Sequence, residues 1–323
     1  MTASAGAVEP GGAAVPERRP RPRLTAEEHR RLARRYRLRR ALRAYAFLAP
    51  NLAFFSIFLL VPVGWVFYET LEKGGIIGPS EFVGLDNWGA VFSDPLATKA
   101  MKNTVYYALI AIPGVFVIGM LLALLLLNVR RGAPVFRALL YFPTLAPVVV
   151  AGLVWLFMIH PDFGALNMSI RAVGGHGLNW LGDDSTALPT IAMVEVWRGT
   201  GFWAIYFLAA LIGLPRELYE AAHLDGAGPL QRFLHLTLPL LRPTLLFAVV
   251  LATIYNLQVF DTVFVMTDGA PANATATLVW DIYKTLFQFD NVGLGATLSC
   301  LLLLVILALT LVQMRLLRSR RTN

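Results

Sequence analysis

The chain has little of what a disulfide-stabilised or catalytic protein needs. It contains one cysteine, Cys300, among 323 residues, which excludes a disulfide framework within the chain and a cysteine-rich metal site. Its five histidines show no H-E-x-x-H spacing, and the sequence has no G-x-x-x-x-G-K-[ST] phosphate-binding loop. We therefore predict a non-catalytic chain that binds neither a metal nor ATP and Mg²⁺ by itself. His160 and His176, with aspartates nearby, are best interpreted as solvated loop residues, and a metal site there is the alternative.

Charged residues are also scarce, at 15% of the chain against 57% hydrophobic residues, and the mean hydropathy is +0.61. A soluble protein of this length could not bury so much apolar surface. Six apolar runs are each close to the roughly 20 residues that cross about 30 Å of hydrocarbon. They lie near 45–68, 104–127, 135–159, 189–213, 244–266 and 294–316. The sequence predicts an all-α, polytopic integral membrane protein with six transmembrane helices, of which the fourth is the least apolar.

The two ends of the chain are basic and polar. We predict a disordered and basic cytoplasmic segment over 1–44, a six-helix transmembrane domain over 45–318 and a cytoplasmic tail over 319–323. Within the first segment, Thr25 and Glu28 have the spacing of a capping box that opens an arginine-rich helix. A nucleic-acid-binding arm is one interpretation of these arginines. Because they directly precede an apolar run, an anchor at an anionic leaflet is favoured, and we expect no nucleic acid among the partners.

The distribution of Lys and Arg predicts the orientation. With the N-terminus inside, the inner segments hold twelve basic residues in 1–44, three in 130–137, three in 216–242 and four in 315–321. The outer loops hold five, and Arg198 lies within a span. Basic residues accumulate on the cytoplasmic side of membrane proteins. We therefore predict a multi-pass protein of the cytoplasmic membrane with both termini, and the loop over 215–243, in the cytoplasm.

The 215–243 loop is the largest polar interruption between apolar runs, and its punctuation predicts a helix–turn–helix. Pro215 can start a helix, since its missing N–H is not needed there. Gly226 is placed to end that helix through a left-handed turn, and Pro229 can start the next. Pro239 and Pro243 are expected to break the chain before the fifth span. Leu218, Ala221 and Ala222 share a face whose small side chains would allow a partner to approach closely.

This loop resembles the signature cytoplasmic loop of permease subunits in binding-protein-dependent ABC importers. The matching residues are Glu220, Ala221, Ala222, Asp225, Gly226, Ala227, Phe233, Leu238, Pro239 and Pro243. The resemblance extends over about 45–318, through FVGLDNW from Phe82, RALLYFPTLAPVVVAGLVWLF from Arg137 and FDTVFVMTDGAPANATATLVWDIYKTLFQF from Phe260. These segments are similar to the carbohydrate-type branch, although Ala270 stands where relatives more often carry glycine. An amphipathic surface helix is the alternative interpretation of the loop.

The resemblance implies a mechanism and a set of partners. Relatives work as permease pairs with two ATPase subunits and an extracytoplasmic solute-binding protein, and the second permease is usually a related but different chain. Residues Glu220, Ala221, Ala222, Asp225, Gly226, Ala227 and Pro239 would then couple this chain to an ATPase. The implied function is translocation of a sugar or related polyol, driven by ATP hydrolysis in separate subunits. The alternative is a secondary transporter or a membrane assembly factor that works without an ATPase.

Polar residues within the spans are costly in hydrocarbon, so they are candidates for the solute pathway. Glu195 and Arg198 are three residues apart and can form an ion pair, which would either pin helix packing or line the cavity. On the fifth span, Asn256 is placed past the midplane, on the same face as Thr253 and Phe260. An amide beside aromatic rings suits a sugar, and interhelical hydrogen bonds are the alternative. The candidate pathway residues are Asn256, Gln258, Tyr255, Phe260, Glu195 and Arg198.

Overall fold

The computed structural model describes residues 25–129 and 131–317, and their secondary structure is almost entirely helical. The helices are α1 (Ala26–Phe55), α2 (Val61–Glu69), α3 (Asp86–Ser93), α4 (Pro95–Leu127), α5 (Ala133–Leu145), α6 (Val148–Met158), α7 (Ala165–Ala172), α8 (Ala187–Ile212), α9 (Arg216–Leu224), α10 (Pro229–Arg232), α11 (Leu238–Leu240), α12 (Arg242–Leu257), α13 (Asp261–Met266), α14 (Leu278–Phe287) and α15 (Val292–Leu317). Two π-helical turns, Ser56–Leu60 and Phe233–Thr237, interrupt the series. The strands β1 (Glu72–Lys73) and β2 (Glu81–Phe82) form a two-residue antiparallel pair. The predicted all-α class is confirmed.

The chain divides into two compact units, 1–62 and 63–323. In the first unit, α1 begins at Ala26, directly after Thr25, where the capping-box pattern predicts a helix start. The helix that the capping box predicts is therefore present, and the bounds of the basic segment, 1–44, stay a prediction. The physical reason for the helix is that Arg, Leu and Ala, which dominate this stretch, lose little side-chain freedom in a helix. The disorder expected for 1–24 and the tail at 319–323 lie outside the described residues.

Four helical segments of the described residues are long and apolar enough to cross a membrane, namely Arg34–Glu69, Pro95–Leu127, Arg242–Met266 and Val292–Leu316. Two further candidates are bent helix pairs, so the structure has up to six spans. One pair is α5 and α6, which meet at 95°. The other is α8 and α9, which meet at 75°. The six-span arrangement remains a prediction.

The apolar run over 135–159 is not one straight helix. α5 ends at Leu145 and α6 begins at Val148, with Ala146 and Pro147 in extended conformation between them. Pro147 cannot donate a helical hydrogen bond, and it disfavours helical geometry at the residue before it. Composition alone revealed the apolar run but not this sharp bend.

Small residues bring the helices of the second unit together. A side chain at Gly119 of α4 would meet Trp203 and Ala204 of α8 at 3.0–3.2 Å. A side chain at Gly201 of α8 would meet the backbone carbonyl of Leu140 in α5. Such close backbone approach is typical of helix packing in membranes, where small residues increase van der Waals contact. α8 is therefore held between α4 and α5, and its polar residues face the space between these helices and α12.

Candidate functional site: a cavity between helices and the 215–243 loop

A cavity of about 470 Å³ lies between helices α4, α5, α6, α8, α12 and α13. It contains all six residues that the sequence proposes for the solute pathway. Its lining is Tyr107, Thr144, Val148, Glu195, Arg198, Gly199, Phe202, Trp203, Ala252, Tyr255, Asn256, Gln258, Val259, Phe260, Asp261 and Thr262. A cavity with apolar and aromatic walls and a few convergent polar groups is the usual form of a small-molecule site.

Glu195 and Arg198 form a tight ion pair on α8. Arg198 Nε donates to Glu195 Oε2 at 3.0 Å, and Arg198 Nη2 lies 2.9 Å from both carboxylate oxygens. Both side chains are about one-fifth exposed. The backbone carbonyl of Arg198 also accepts a hydrogen bond from Thr144 at 2.8 Å. The ion pair therefore lines the cavity, and the backbone of Arg198 also links α8 to α5. The two interpretations of the pair, helix packing and cavity lining, are compatible.

Asn256 lines this cavity, and its amide has one buried atom without a hydrogen-bond partner among the described residues. Its Nδ2 donates to the carbonyl of Ala252 at 2.8 Å, one turn earlier in the same helix. Its Oδ1 is buried and has no hydrogen-bond partner among the described residues. The residue as a whole is 7% exposed. A buried acceptor without a partner costs free energy, about 1–3 kcal/mol in soluble proteins.

Thr253 does not join Asn256 at the cavity, although the sequence places the two on one face. Gln313 of α15 donates to Thr253 Oγ1 at 2.8 Å. Thr253 therefore makes an interhelical hydrogen bond, which is the alternative interpretation of the polar residues on this span. Residues three positions apart share a helix face but differ by about 60° around the axis, so their side chains can contact different neighbours.

The fifth span breaks at the cavity. α12 ends at Leu257 and α13 begins at Asp261, so Gln258, Val259 and Phe260 are non-helical. The ring of Phe260 stacks on Phe264 at 5.2 Å and contacts Tyr283 at the same distance. The sequence predicts one helix over 244–266, with Phe260 on the same face as Asn256. The helix is interrupted between these two residues, and both line the cavity. Phe260 lines the cavity because the helix is interrupted there.

Several lining residues belong to other helices and are not among those that the sequence predicts. Tyr107 of α4 is almost fully buried, and Thr144 of α5 bonds to α8. Phe202 and Trp203 of α8 contact each other edge to face at 5.1 Å. Phe202 and Trp203 lie one to two turns after Glu195 and Arg198, so clustering of aromatics near a charged pair was an available signal. Tyr107 and Thr144 had no comparable local signal.

The 215–243 loop contains the predicted helix–turn–helix. α9 ends at Leu224, and Gly226 has φ +76°, the left-handed conformation predicted for it. Ala227 N–H donates to the carbonyl of Ala222 at 2.9 Å, and Gly226 N–H donates to that of His223 at 3.0 Å. These bonds satisfy carbonyls that the end of a helix leaves free. α10 then begins at Pro229.

Pro239 and Pro243 do not break the chain as predicted. Pro239 is the second residue of α11 and Pro243 the second of α12, with Leu241 as the turn between the two helices. A proline is tolerated in the first turn of a helix because the N–H that it lacks has no helical partner there. The two prolines therefore mark helix starts, and the path from α10 into α12 is helical except at Leu241.

A second cavity, of about 530 Å³, separates α9 from the ends of α4 and α8. Its apolar wall consists of leucines and Ile212, and its polar rim is formed by Arg216, Tyr219, Glu220, His223, Arg232 and Thr237. Tyr219 and Thr237 are joined by a hydrogen bond of 2.9 Å between their hydroxyl groups. This bond ties α9 to the π-helical turn that follows α10. Glu220, Ala221, Asp225 and Gly226 are exposed, and Ala222 and Ala227 are half-buried.

No group of three or more His, Cys, Asp or Glu side chains within the described ranges is placed to hold a metal ion. His160 instead stacks on Phe163, with ring centroids 3.7 Å apart. The backbone N–H of Asp162 donates to His160 Nδ1 at 3.3 Å. These contacts agree with a loop residue held by its neighbours.

Comparison with known proteins identifies the family. Residues 114–322 match the family described as "Binding-protein-dependent transport system inner membrane component". The chain belongs to this family. It is a multi-pass inner membrane protein, and the matched region includes both the 215–243 loop and most of the cavity lining.

Similar proteins extend the comparison over nearly the whole permease chain. It is 34% identical, over 86% of its length and 91% of the relative's, to the sulfoquinovosyl glycerol transport system permease protein of Agrobacterium fabrum. It is 31% identical to the trehalose/maltose transport system permease protein of Thermococcus litoralis, over 90% of its own length and 98% of the relative's. It is 33% identical to the sn-glycerol-3-phosphate transport system permease protein of Yersinia pestis, over 84% of its own length and 92% of the relative's.

A solved structure shows the same fold. A chain from the crystal structure of a bacterial ABC transporter involved in the import of alginate superposes with a TM-score of 0.76 at 23% identity. The superposition covers 89% of this permease and 99% of that chain. The ABC permease fold inferred from the sequence is confirmed.

Proposed function

We propose that this permease is the transmembrane subunit of an ABC importer that moves a sugar or a related polyol across the cytoplasmic membrane. The observation that carries the proposal is the 470 Å³ cavity, in which the amide residues Asn256 and Gln258 lie among aromatic residues. Hydroxyl groups can form hydrogen bonds with amides, and the apolar face of a sugar ring can pack on aromatic rings. The relatives whose names specify a solute carry glycerol derivatives or sugars.

The chain supplies part of the pathway, and other subunits supply the rest. A second, related but different permease completes the channel, two ATPase subunits bind ATP and Mg²⁺, and an extracytoplasmic solute-binding protein delivers the solute. Two solved neighbours support this arrangement, since one is a bacterial ABC transporter and the other is such a transporter in complex with a periplasmic protein bound to an alginate pentasaccharide. The permease itself performs no catalytic step and needs no cofactor or nucleic acid.

The loop between α8 and α12 is the proposed contact with an ATPase. Its exposed turn carries Leu224, which is 88% exposed, next to the polar side chain of Asp225. An exposed apolar residue on a short helix is suited to a protein partner. The proposed coupling residues are Glu220, Ala221, Ala222, Asp225, Gly226, Ala227 and Pro239.

The mechanism is alternating access. Closure of the ATPase dimer around ATP carries the two cytoplasmic loops with it, and the cavity changes from inward-facing to outward-facing. A ligand can drive such a change only if its contacts differ between the two states. α9 follows α8 in the chain after a bend of 75°. A movement of the loop is therefore transmitted directly to α8, which carries Glu195 and Arg198. In this arrangement six spans cross the membrane and both termini are cytoplasmic.

Reconstitution distinguishes this function from a secondary transporter or an assembly factor. Proteoliposomes that contain both permeases and both ATPases, with the solute-binding protein outside and ATP inside, should accumulate a sugar or polyol. The matched control carries an ATPase variant that binds but does not hydrolyse ATP, and it should not accumulate solute. Equal accumulation with the control would support a secondary transporter, and no accumulation with either would exclude the transport function.

A further inference from the structure

The charged side chains of the cavity largely cancel one another. Among the described residues that line it, the charged ones are Glu195, Arg198 and Asp261. The guanidinium of Arg198 is held by Glu195 through three contacts of 2.9–3.0 Å. A guanidinium bonded in this bidentate way to a carboxylate has its charge balanced by that carboxylate. Asp261 remains as a formal negative charge, so this part of the pathway offers no unbalanced positive charge to an anion.

The polar groups of the lining suit the same class of solute. The amide of Gln258 and the hydroxyl of Tyr255 can both donate and accept hydrogen bonds, as the hydroxyl groups of a sugar or polyol do. The carboxylate of Asp261 is an acceptor when ionised and favours a solute that donates hydrogen bonds. A phosphate or a sulfonate group at neutral pH carries negative charge, so that carboxylate would repel it.

We propose that Glu195 is a specificity-determining residue of this permease, because it holds Arg198 and thereby makes the cavity select uncharged, hydroxyl-rich solutes over phosphorylated, sulfonated or carboxylated ones. The inference rests on the proposed transport function and adds a chemical class of solute to it. The relatives include carriers named for both classes, since trehalose and maltose are uncharged and sn-glycerol 3-phosphate is an anion. Family membership therefore does not decide between the two classes, and the cavity chemistry does.

The test compares solutes that differ only in charge. The complete complex in nanodiscs, without the binding protein, is titrated by saturation-transfer difference NMR, which detects weak binding. The probes are glycerol against sn-glycerol 3-phosphate, glucose against glucose 6-phosphate, and trehalose against trehalose 6-phosphate. We expect at least one uncharged probe to bind, with an apparent Kd about tenfold or more lower than that of its charged counterpart. Asn256→Ala should weaken this binding, which assigns it to the cavity.

Two variants test the role of Glu195 itself. Glu195→Gln frees the charge of Arg198, so the preference for the uncharged probe should fall about tenfold or reverse. Glu195→Gln combined with Arg198→Gln leaves no cation, so the preference should return. Glu81→Gln, on the exposed strand β2 outside the cavity, is the matched control and should behave as the wild type.

The outcomes separate this inference from the proposed function. Equal or tighter binding of a charged probe by the wild type, binding of no uncharged probe, or an unchanged preference in Glu195→Gln would overturn the inference. None of these results would decide whether ATP-dependent uptake occurs in proteoliposomes, which is the separate test of the proposed function. Conversely, selective binding of uncharged probes without ATP-dependent uptake would support the inference and exclude the transport function.

Discussion

The cavity and the 215–243 loop hold their polar side chains in different ways. In the cavity, Glu195 and Arg198 bond to each other, and the donor group of Asn256 bonds to its own helix. In the loop, Glu220 and Asp225 are exposed. A polar group at membrane depth must find a partner within the protein, whereas one in water need not. Changes in the cavity should therefore affect the solute or the packing, and changes in the loop should affect a protein partner.

The difference between cavity and loop requires that the loop face the cytoplasm. The accessibility of the loop from each side of the membrane should show the largest effect, and it is the simplest to test. Single cysteines replacing Leu224 and Val173, both exposed, in a Cys300→Ala background should label from opposite sides of the membrane. The basis is the excess of basic residues on the inner side. Labelling of intact cells with an impermeant maleimide, before and after permeabilisation, measures this. Labelling of both positions from outside would contradict the topology.

Substitution of Gly226 by valine should abolish uptake while the protein remains in the membrane. Gly226 has φ +76°, a conformation that costs a β-branched residue about 1–2 kcal/mol or more, and the space around it is open. The strain should therefore change the angle between α9 and α10 without disturbing the spans. The measurement is ATPase activity of the complex in nanodiscs, with and without loaded binding protein.

The loop offers a matched control for Gly226→Val. Gly228 also has open space around it, but its φ is −70°, which valine adopts readily. Gly228→Val should keep most of the stimulation, and Glu220→Lys, which reverses a charge on α9, should lose it. Wild-type stimulation in Gly226→Val, together with normal uptake, would show that this loop is not the coupling element.

A smaller effect is expected in the cavity, where Asn256→Ala should lower transport about tenfold. The amount of assembled complex should stay the same, because Asn256 bonds only within its own helix. Thr253→Val is the control, since Thr253 bonds to α15 and its loss should reduce thermal stability more than transport. Uptake rates and the yield of complex from size-exclusion chromatography measure the two effects. Failure of Asn256→Ala to assemble would identify Asn256 as a packing residue.

The smallest effect concerns Asp281 of α14, which belongs to neither region and is 1% exposed. Burial, with the charge of Asp94 as a lesser cause, raises its pKa from 3.8 to about 6. The folded chain therefore binds this proton more tightly than the unfolded one, and stability decreases as the pH rises through about 6. Asp281→Asn should raise the Tm by roughly 2–4 °C at pH 7.5, and by less at pH 5.

Thermal unfolding of the purified complex at the two pH values checks this prediction. Asp183→Asn, a change of an exposed loop carboxylate, is the control and should leave the Tm nearly unchanged. A Tm gain for Asp281→Asn that is equal or larger at pH 5 would contradict the assigned cause.

Local features of the loop were predictable, and contacts between spans were not. Pro215, Gly226 and Pro229 restrict their own backbone, so helix ends and the positive φ followed from residue type. Thr253 and Asn256 are three residues apart on one apolar run, and nothing in that run indicated that one would meet Gln313 and the other the cavity. The distinction depends on which helix lies beside each residue.

The sequence by itself determined the membrane class, the positions of the apolar runs and the turn at Gly226. Transfer of side chains to hydrocarbon and backbone preferences are properties of single residues or short segments, so they can be summed along the chain. Only the tertiary structure decided that α5 and α6 meet at 95°, that the fifth span opens at Gln258 and that Tyr107 joins Glu195 and Arg198 around one cavity. A cavity forms where packed helices leave space, and that space depends on all the neighbouring helices at once.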